Sequence, residues 1–264
     1  MPRILLQLVI TIVLFFATWF VLSQISWVQV FGVEKKANKL EEELGKLLEK
    51  QILTEKDTTR HPQVYRPVIK LLHSICKAND IDSTGITMHI VDDSEINAFA
   101  LPSGIMVINK GLILESENEQ ALAGVIGHEL AHITEKHVMR RLIRELGLAM
   151  LVNMTSGSSG SGISQIMKEL TSSSYDRELE TEADMKAVEF LENADLDPRP
   201  FAEFMYFMST LIEVPEALQW LSTHPESEER SKAILEARDE DKDDFVDLID
   251  DEAWGLVKSN IKSY

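Results

Sequence analysis

The chain has 264 residues, with 44 Asp and Glu against 26 Lys and Arg, and a formal net charge of -18. That length allows one sizeable folded domain with short appendages, and the acidity excludes a nucleic-acid partner, because a phosphate backbone calls for clustered Lys and Arg. Cys76 is the only cysteine, so an intramolecular disulfide and a cysteine-based zinc site are both excluded, and His and carboxylates remain for any metal.

Ile4 to Leu22 is an uncharged apolar run of about the 20 residues that cross a bilayer as a helix. A cleaved signal peptide has a shorter core and a small-residue cleavage site; here the run leads into Ser23, Gln24 and Ile25, so an uncleaved single-pass anchor over residues 1–33 is expected. Arg3 lies on one side of it and Lys35, Lys36 and Lys39 on the other, a count that favours a cytoplasmic domain. The folded domain is expected over 34–235, with an acidic segment over 236–264.

From Glu34 to Ile52, Leu40, Leu44, Leu47 and Leu48 form one stripe between charged residues and predict an amphipathic helix. A second helix is predicted over Val64 to Lys77, with Val68, Leu71, Leu72, Ile75 and Cys76 at helical spacing. Ile86, Met88 and Ile90 then alternate with other residues, and Pro102-Ser103-Gly104 separates Ala98-Phe99-Ala100 from Ile105-Met106-Val107-Ile108; this predicts a small antiparallel sheet. The strand from Pro102 to Ile108 is a candidate for edge pairing with an extended ligand.

Ser116 and Glu119 read as a capping box opening a long helix that carries Leu122, Val125, Ile126, Leu130 and Ile133. Ser156 to Gly162 is all Gly and Ser and predicts a flexible link between helices. A helix follows from Tyr175 to Asn193, and Pro198 and Pro200 open another whose Phe201, Phe204, Met205, Phe207 and Met208 are expected to face the core.

The chemistry is carried by His128-Glu129-Leu130-Ala131-His132. Histidines four apart on a helix project from one face and can share a tetrahedral metal, with the Glu beside them as general base. Gly124, Gly127 and Ala131 crowd this turn with small residues, which suits close packing better than a solvated surface. A catalytic zinc also needs a third protein ligand and an open position. The metzincin pattern requires Gly at 135 and His at 138, where this chain has Glu135 and Val138, so that class is excluded. His137, five residues past His132, would point away from the metal face of a continuous helix and is expected in a solvated or core role.

Downstream, Glu180, Ala183, Asp184, Ala187, Val188 and Leu191 share a helical face, which places two carboxylates on an apolar stripe where they need a cation or donors. Glu180 as the third ligand, with Asp184 one turn on to orient a ligand histidine, satisfies both.

HELAH followed by Arg177-x-x-Glu180-x-x-Ala183-Asp184 resembles the gluzincin family containing HtpX and the CAAX prenyl proteases, and is most similar to its BepA-like subgroup. The likeness spans Ile86 to Ile234, including Asn97 to Gly104 and Trp220 to Pro225. It implies an α+β, mainly helical, zincin-like domain over 34–235, one Zn2+ per chain on His128, His132 and Glu180, protein or peptide substrates, and an endopeptidase in quality control of envelope proteins. In the subgroup a His-Pro segment and a following Arg approach the cleft. They map to His224 and Arg230 as further catalytic residues, His224 as a displaceable fourth ligand or an oxyanion donor; a turn histidine and a structural ion pair are the plain alternatives. Relatives with one anchor or none work outside the cytoplasm, opposite to the charge-based orientation. An inactive or latent zinc-binding scaffold of the envelope is the alternative function, and the intact Glu129 argues against it.

Overall fold

The computed structural model describes residues 33–156, 160–172, 176–211, 218–225 and 227–263. The apolar run of residues 4–22 lies outside them, and among the described residues no helix is long and apolar enough to cross a membrane. Two compact units are present, residues 1–40 and 41–264, and helix α1 (Val33–Glu55) begins in the first and continues into the second.

After the short strand β1 (Thr58–Thr59), helix α2 (Pro62–Ala78) opens with Pro in its first turn, where a missing N–H costs nothing. The predicted small sheet then forms from β1, β2 (Thr87–Val91), β3 (Ala98–Leu101) and β4 (Ile105–Asn109), in the order β1-β2-β4-β3. It is mixed, a correction to the antiparallel expectation: β3 and β4 form an antiparallel hairpin, but β4 runs parallel to β2. Alternation of apolar residues reports which face a strand buries and carries no information on neighbour direction. The hairpin turn needs positive φ at Ser103 and Gly104, and a side chain at Gly104 would run into the carbonyl of Gly85.

The same order corrects the edge assignment. Both edges of β4 are paired, and β3 is the outer strand. All five β4 residues are buried, which explains their unbroken apolar run. Leu44, Leu48 and Ile52 of α1 are buried, and Glu49 pairs with His89 of β2 at 2.7 Å, so the part of α1 past residue 40 packs against the sheet. Helix α3 (Lys110–Glu115) follows β4 directly, and helix α4 (Glu119–Thr134) carries HELAH and lies against β3 and β4.

The start of α4 departs from the predicted capping box. Asn118 is the cap, accepting the Ala121 N–H at 2.8 Å, and Ser116 donates to Leu112 O. Glu119 reaches elsewhere: buried, its Oε1 accepts N–H groups from Leu248 at 2.8 Å and Ile249 at 3.4 Å. The acidic C-terminal stretch is thereby tied to the root of the HELAH helix, and its last helix, α12 (Asp251–Lys262), places Trp254, Val257 and Ile261 in the core.

Burial pushes the Glu119 carboxyl up from 4.5 to about 7. A folded-state pKa above the unfolded one contributes stability that is full below the unfolded value and lost as pH rises through 7. Glu119→Gln is therefore expected to flatten the fall in melting temperature between pH 5 and pH 8, with a ceiling of about 3 kcal/mol on the difference. Parallel melting curves for the two chains at both pH values would count against a raised Glu119 carboxyl.

Between α4 and helix α5 (His137–Leu146), Lys136 adopts a left-handed conformation at φ 55. Helices α6 (Leu148–Ser156) and α7 (Gly160–Ser172) follow; Gly160 to Gly162, expected in a flexible link, form the first turn of α7, and 157–159 lie outside the described residues. Helix α8 (Arg177–Asn193) packs along α4, and α9 (Arg199–Thr210) closes over it with Phe201, Phe204, Met205 and Met208 buried. Phe207 is more than a third exposed. Gly124 is where α9 approaches: a Cβ there would strike the Phe201 ring, while a Cβ at Gly127 would meet Ala187 of α8 at an ordinary 3.6 Å. The missing side chain at Gly124 lets α9 close on the HELAH helix. Helices α10 (Leu218–Thr223) and α11 (Ser227–Ala237) complete this side.

Candidate metal centre

The fold brings together every site residue expected from the sequence. His128, Glu129, His132, Glu180, Asp184 and His224 are all at most 1 % exposed, and Arg230 is 6 % exposed. One turn of α4 presents the Nε2 atoms of His128 and His132 to each other at 3.0 Å. Glu180, in the first turn of α8, places Oε1 3.4 Å from His132 Nε2 and Oε2 3.8 Å from His128 Nε2. The predicted α8 stripe is buried as a whole, from Glu180 through Leu191.

Asp184 lies one turn further, with Oδ1 3.0 Å from His128 Nδ1, on the side of the ring facing away from His132. Arg230 of α11 grips Asp184 with two nitrogens, at 2.7 and 2.8 Å, and pairs with Glu180 through Nη1. His224 follows α10, stacked at 4.5 Å on Trp220. Its Nδ1 is 3.0 Å from Glu180 Oε2 and 3.3 Å from His128 Nε2, and its Nε2 is 3.5 Å from Glu129 Oε1.

Electrostatics sort these groups. Burial works against the Glu180 carboxylate, yet Arg230 and His224 hold it well below the usual range. Burial likewise opposes the Asp184 charge, and the Arg230 guanidinium wins, lowering it. Burial drives His132 down to about 3 and lowers His224, so both imidazoles are neutral and keep a lone pair. Burial also pushes the Glu129 carboxyl up to about 8, against the pull of His128. A cation nearby reverses that direction.

These residues fit a zinc ion. Ligand atoms of His128, His132, Glu180 and His224 all lie within 4.8 Å of one another. Tetrahedral bonds of about 2.0–2.1 Å would set donors roughly 3.3–3.4 Å apart, the range that the observed 3.0, 3.4 and 3.8 Å separations bracket. Glu180 Oε1 and both Glu129 oxygens are buried without a hydrogen-bond donor. Two imidazole lone pairs converging with orphaned carboxylate oxygens is an arrangement a cation satisfies and a proton network does not.

His137 is buried outside the candidate ligand group, as a core role requires, but not on the continuous helix expected for it. The left-handed turn at Lys136 ends α4, so His137 does not continue its helix. His137 is buried and returns to the site, its Nδ1 2.9 Å from His132 Nδ1 and its Nε2 3.1 Å from Glu182 Oε2. The signal that could have found it is His137 itself, a second-turn histidine after HELAH; what it lacked was any glycine to mark the break.

The same site residues fall within a stretch shared with known proteins. Residues 62–238 match the family described as Peptidase family M48. A Bos taurus protein, "Metalloendopeptidase OMA1, mitochondrial", is 29% identical over 204 residues, 69% of this chain and 38% of the relative. The Homo sapiens counterpart is 30% identical over 190 residues, 66% of this chain and 36% of its own. A Vibrio cholerae "Putative beta-barrel assembly-enhancing protease" is 28% identical over 170 residues, 59% of this chain and 35% of the relative. The matches thus span little more than a third of each of these proteins.

Proposed function

Because the chain belongs to peptidase family M48, whose members are zinc-dependent metallopeptidases, we propose that it is an endopeptidase whose zinc is held by His128, His132 and Glu180, with Glu129 as general base. The observation that carries this reading is the convergence of ligand atoms of His128, His132, Glu180 and His224 within 4.8 Å of one another, with Glu180 Oε1 buried and lacking a hydrogen-bond donor.

Zinc in such a site supplies Lewis acidity, acidifying a water and polarising a carbonyl oxygen. The chain's own residues do the rest. Glu129, free of hydrogen-bond donors, takes a proton from the attacking water and returns it to the leaving amine. Asp184 fixes the His128 ring through Nδ1, and Arg230 holds Asp184 and Glu180 as carboxylates. His224, close to Glu129 and Glu180 alike, is placed to act as a fourth donor or to donate to a developing oxyanion. The outer strand β3 offers its outer edge to an extended peptide.

The apolar run of residues 4–22 anchors the chain in a membrane with the catalytic domain outside the cytoplasm, and its work is quality control of membrane or envelope proteins. The apolar run itself supports the anchor. The relatives' names, a mitochondrial metalloendopeptidase and a beta-barrel assembly-enhancing protease, support the setting and the role.

The test is zinc content and casein cleavage by the purified full chain. One zinc per chain, cleavage abolished by a chelator and restored by zinc, is the expected result. A zinc-loaded chain that cleaves nothing would favour the scaffold alternative.

A further inference from the structure

The two metal histidines are held in different ways. His128 meets the Asp184 carboxylate directly at 3.0 Å, whereas His132 meets a second imidazole: its Nδ1 lies 2.9 Å from His137 Nδ1, with the rings inclined at 71°. His137 Nε2 lies 3.1 Å from Glu182 Oε2, which also receives Arg140 Nη1 at 3.3 Å. Glu182 is on the solvated face of α8, its side chain 39% exposed.

Two nitrogens at 2.9 Å share one proton, and only one assignment suits the surroundings. If His132 offers the Nε2 lone pair to zinc, its proton sits on Nδ1 and is donated to His137 Nδ1. The His137 proton is then on Nε2 and is donated to Glu182. The reverse assignment puts the His132 proton on Nε2, facing His128 Nε2, and sets the His137 Nε2 lone pair against a carboxylate. Each contact would then be spoiled.

We propose that His137 is a positioning residue for the metal, which with Glu182 fixes the tautomer and ring orientation of His132 from outside the ligand set. The inference rests on the zinc reading above. It makes the left-handed turn at Lys136 a working part of the site, since only a break in the helix there lets a residue five past His132 reach it. Partners of this kind change metal affinity by about 10–100-fold.

The experiment is zinc affinity of the full chain by chelator competition, with melting temperature recorded alongside, for wild type, His137→Phe, His137→Asn and Glu182→Gln. His137→Phe keeps ring volume and removes both nitrogens; a loss of about 10–100-fold in zinc affinity is expected. His137→Asn returns an acceptor near the Nδ1 position and should recover part of that loss, which mere packing would not achieve. Glu182→Gln, an exposed change that leaves folding intact, should weaken zinc binding by a smaller factor, and nitrogen-15 spectra of the zinc-loaded chain should place protons on His132 Nδ1 and His137 Nε2. Wild-type zinc affinity in a folded His137→Phe chain overturns the proposal. If that chain does not fold, unchanged affinity in both His137→Asn and Glu182→Gln, or a proton on His137 Nδ1, overturns it. A wild-type chain that takes up no zinc at all overturns the metal reading itself, a result distinct from zinc bound equally by all four chains.

Discussion

Glu129→Gln is expected to lower peptide hydrolysis about 10³-fold while the chain still carries one zinc, because the change removes a proton acceptor without altering the three proposed ligands. Gln matches Glu in shape, and position 129 is enclosed at 1 % exposure, so steric disturbance is small. Its effect should fall on kcat far more than on KM, since the proton transfer occurs on the way to the transition state. Comparison of kcat, KM and zinc content for the two chains decides it. Residual activity within tenfold of wild type would remove Glu129 from the mechanism and pass the base role to His224, whose Nε2 is 3.5 Å away.

The second large effect is on stability. Arg230→Ala leaves Asp184 and Glu180 buried at 1 % exposure without the guanidinium that holds both as carboxylates. Removing one partner of a buried charged pair costs about 3–5 kcal/mol, which for a domain of this size is a fall of roughly 6–20 °C in melting temperature. Zinc supplies positive charge at the same carboxylates, so the fall should be larger in the chelated chain than in the zinc-loaded one. Thermal melts of both forms test this. An equal fall in each would make Arg230 a packing residue whose charge is incidental. Arg230→Lys should recover only part of the loss, because one ammonium cannot match the two-pronged contact with Asp184.

How much of this is legible in the sequence depends on distance along the chain. HELAH is local and helical, so spacing alone sets His128 and His132 on one face. Glu180 and Asp184 are legible because two carboxylates on an apolar stripe need a cation or a donor, and the structure supplies the donor as Arg230. Where a reading hangs on where an element stops, it fails. His137 reads correctly as a core residue off the metal face, but its contact with His132 is missed because nothing in Glu135-Lys136 announces a left-handed turn; Lys in that conformation is disfavoured and tertiary contacts impose it.

Sheet order is out of reach for another reason: β2 and β4 are both apolar, and nothing local says that a hairpin from β3 inserts β4 beside β2. Trp254, Val257 and Ile261 do carry a signal, since apolar residues at i, i+3 and i+7 after Asp250 describe a capped amphipathic helix. The acidity of the surrounding stretch, with Asp and Glu on the solvated face, masks it.

The clasp at Glu119 bears on how such a chain is made. Its backbone partner Leu248 lies 129 residues further along, so a ribosome adding 5–20 residues per second takes roughly 6–26 s between the two. Throughout that interval the root of the HELAH helix has a carboxylate with no amides to receive and a core lacking Trp254, Val257 and Ile261. Glu180, His224 and Arg230 also emerge within it. Synthesis from the N-terminus therefore delivers His128 and His132 first, their carboxylate partners later, and the helix that seals the core after both.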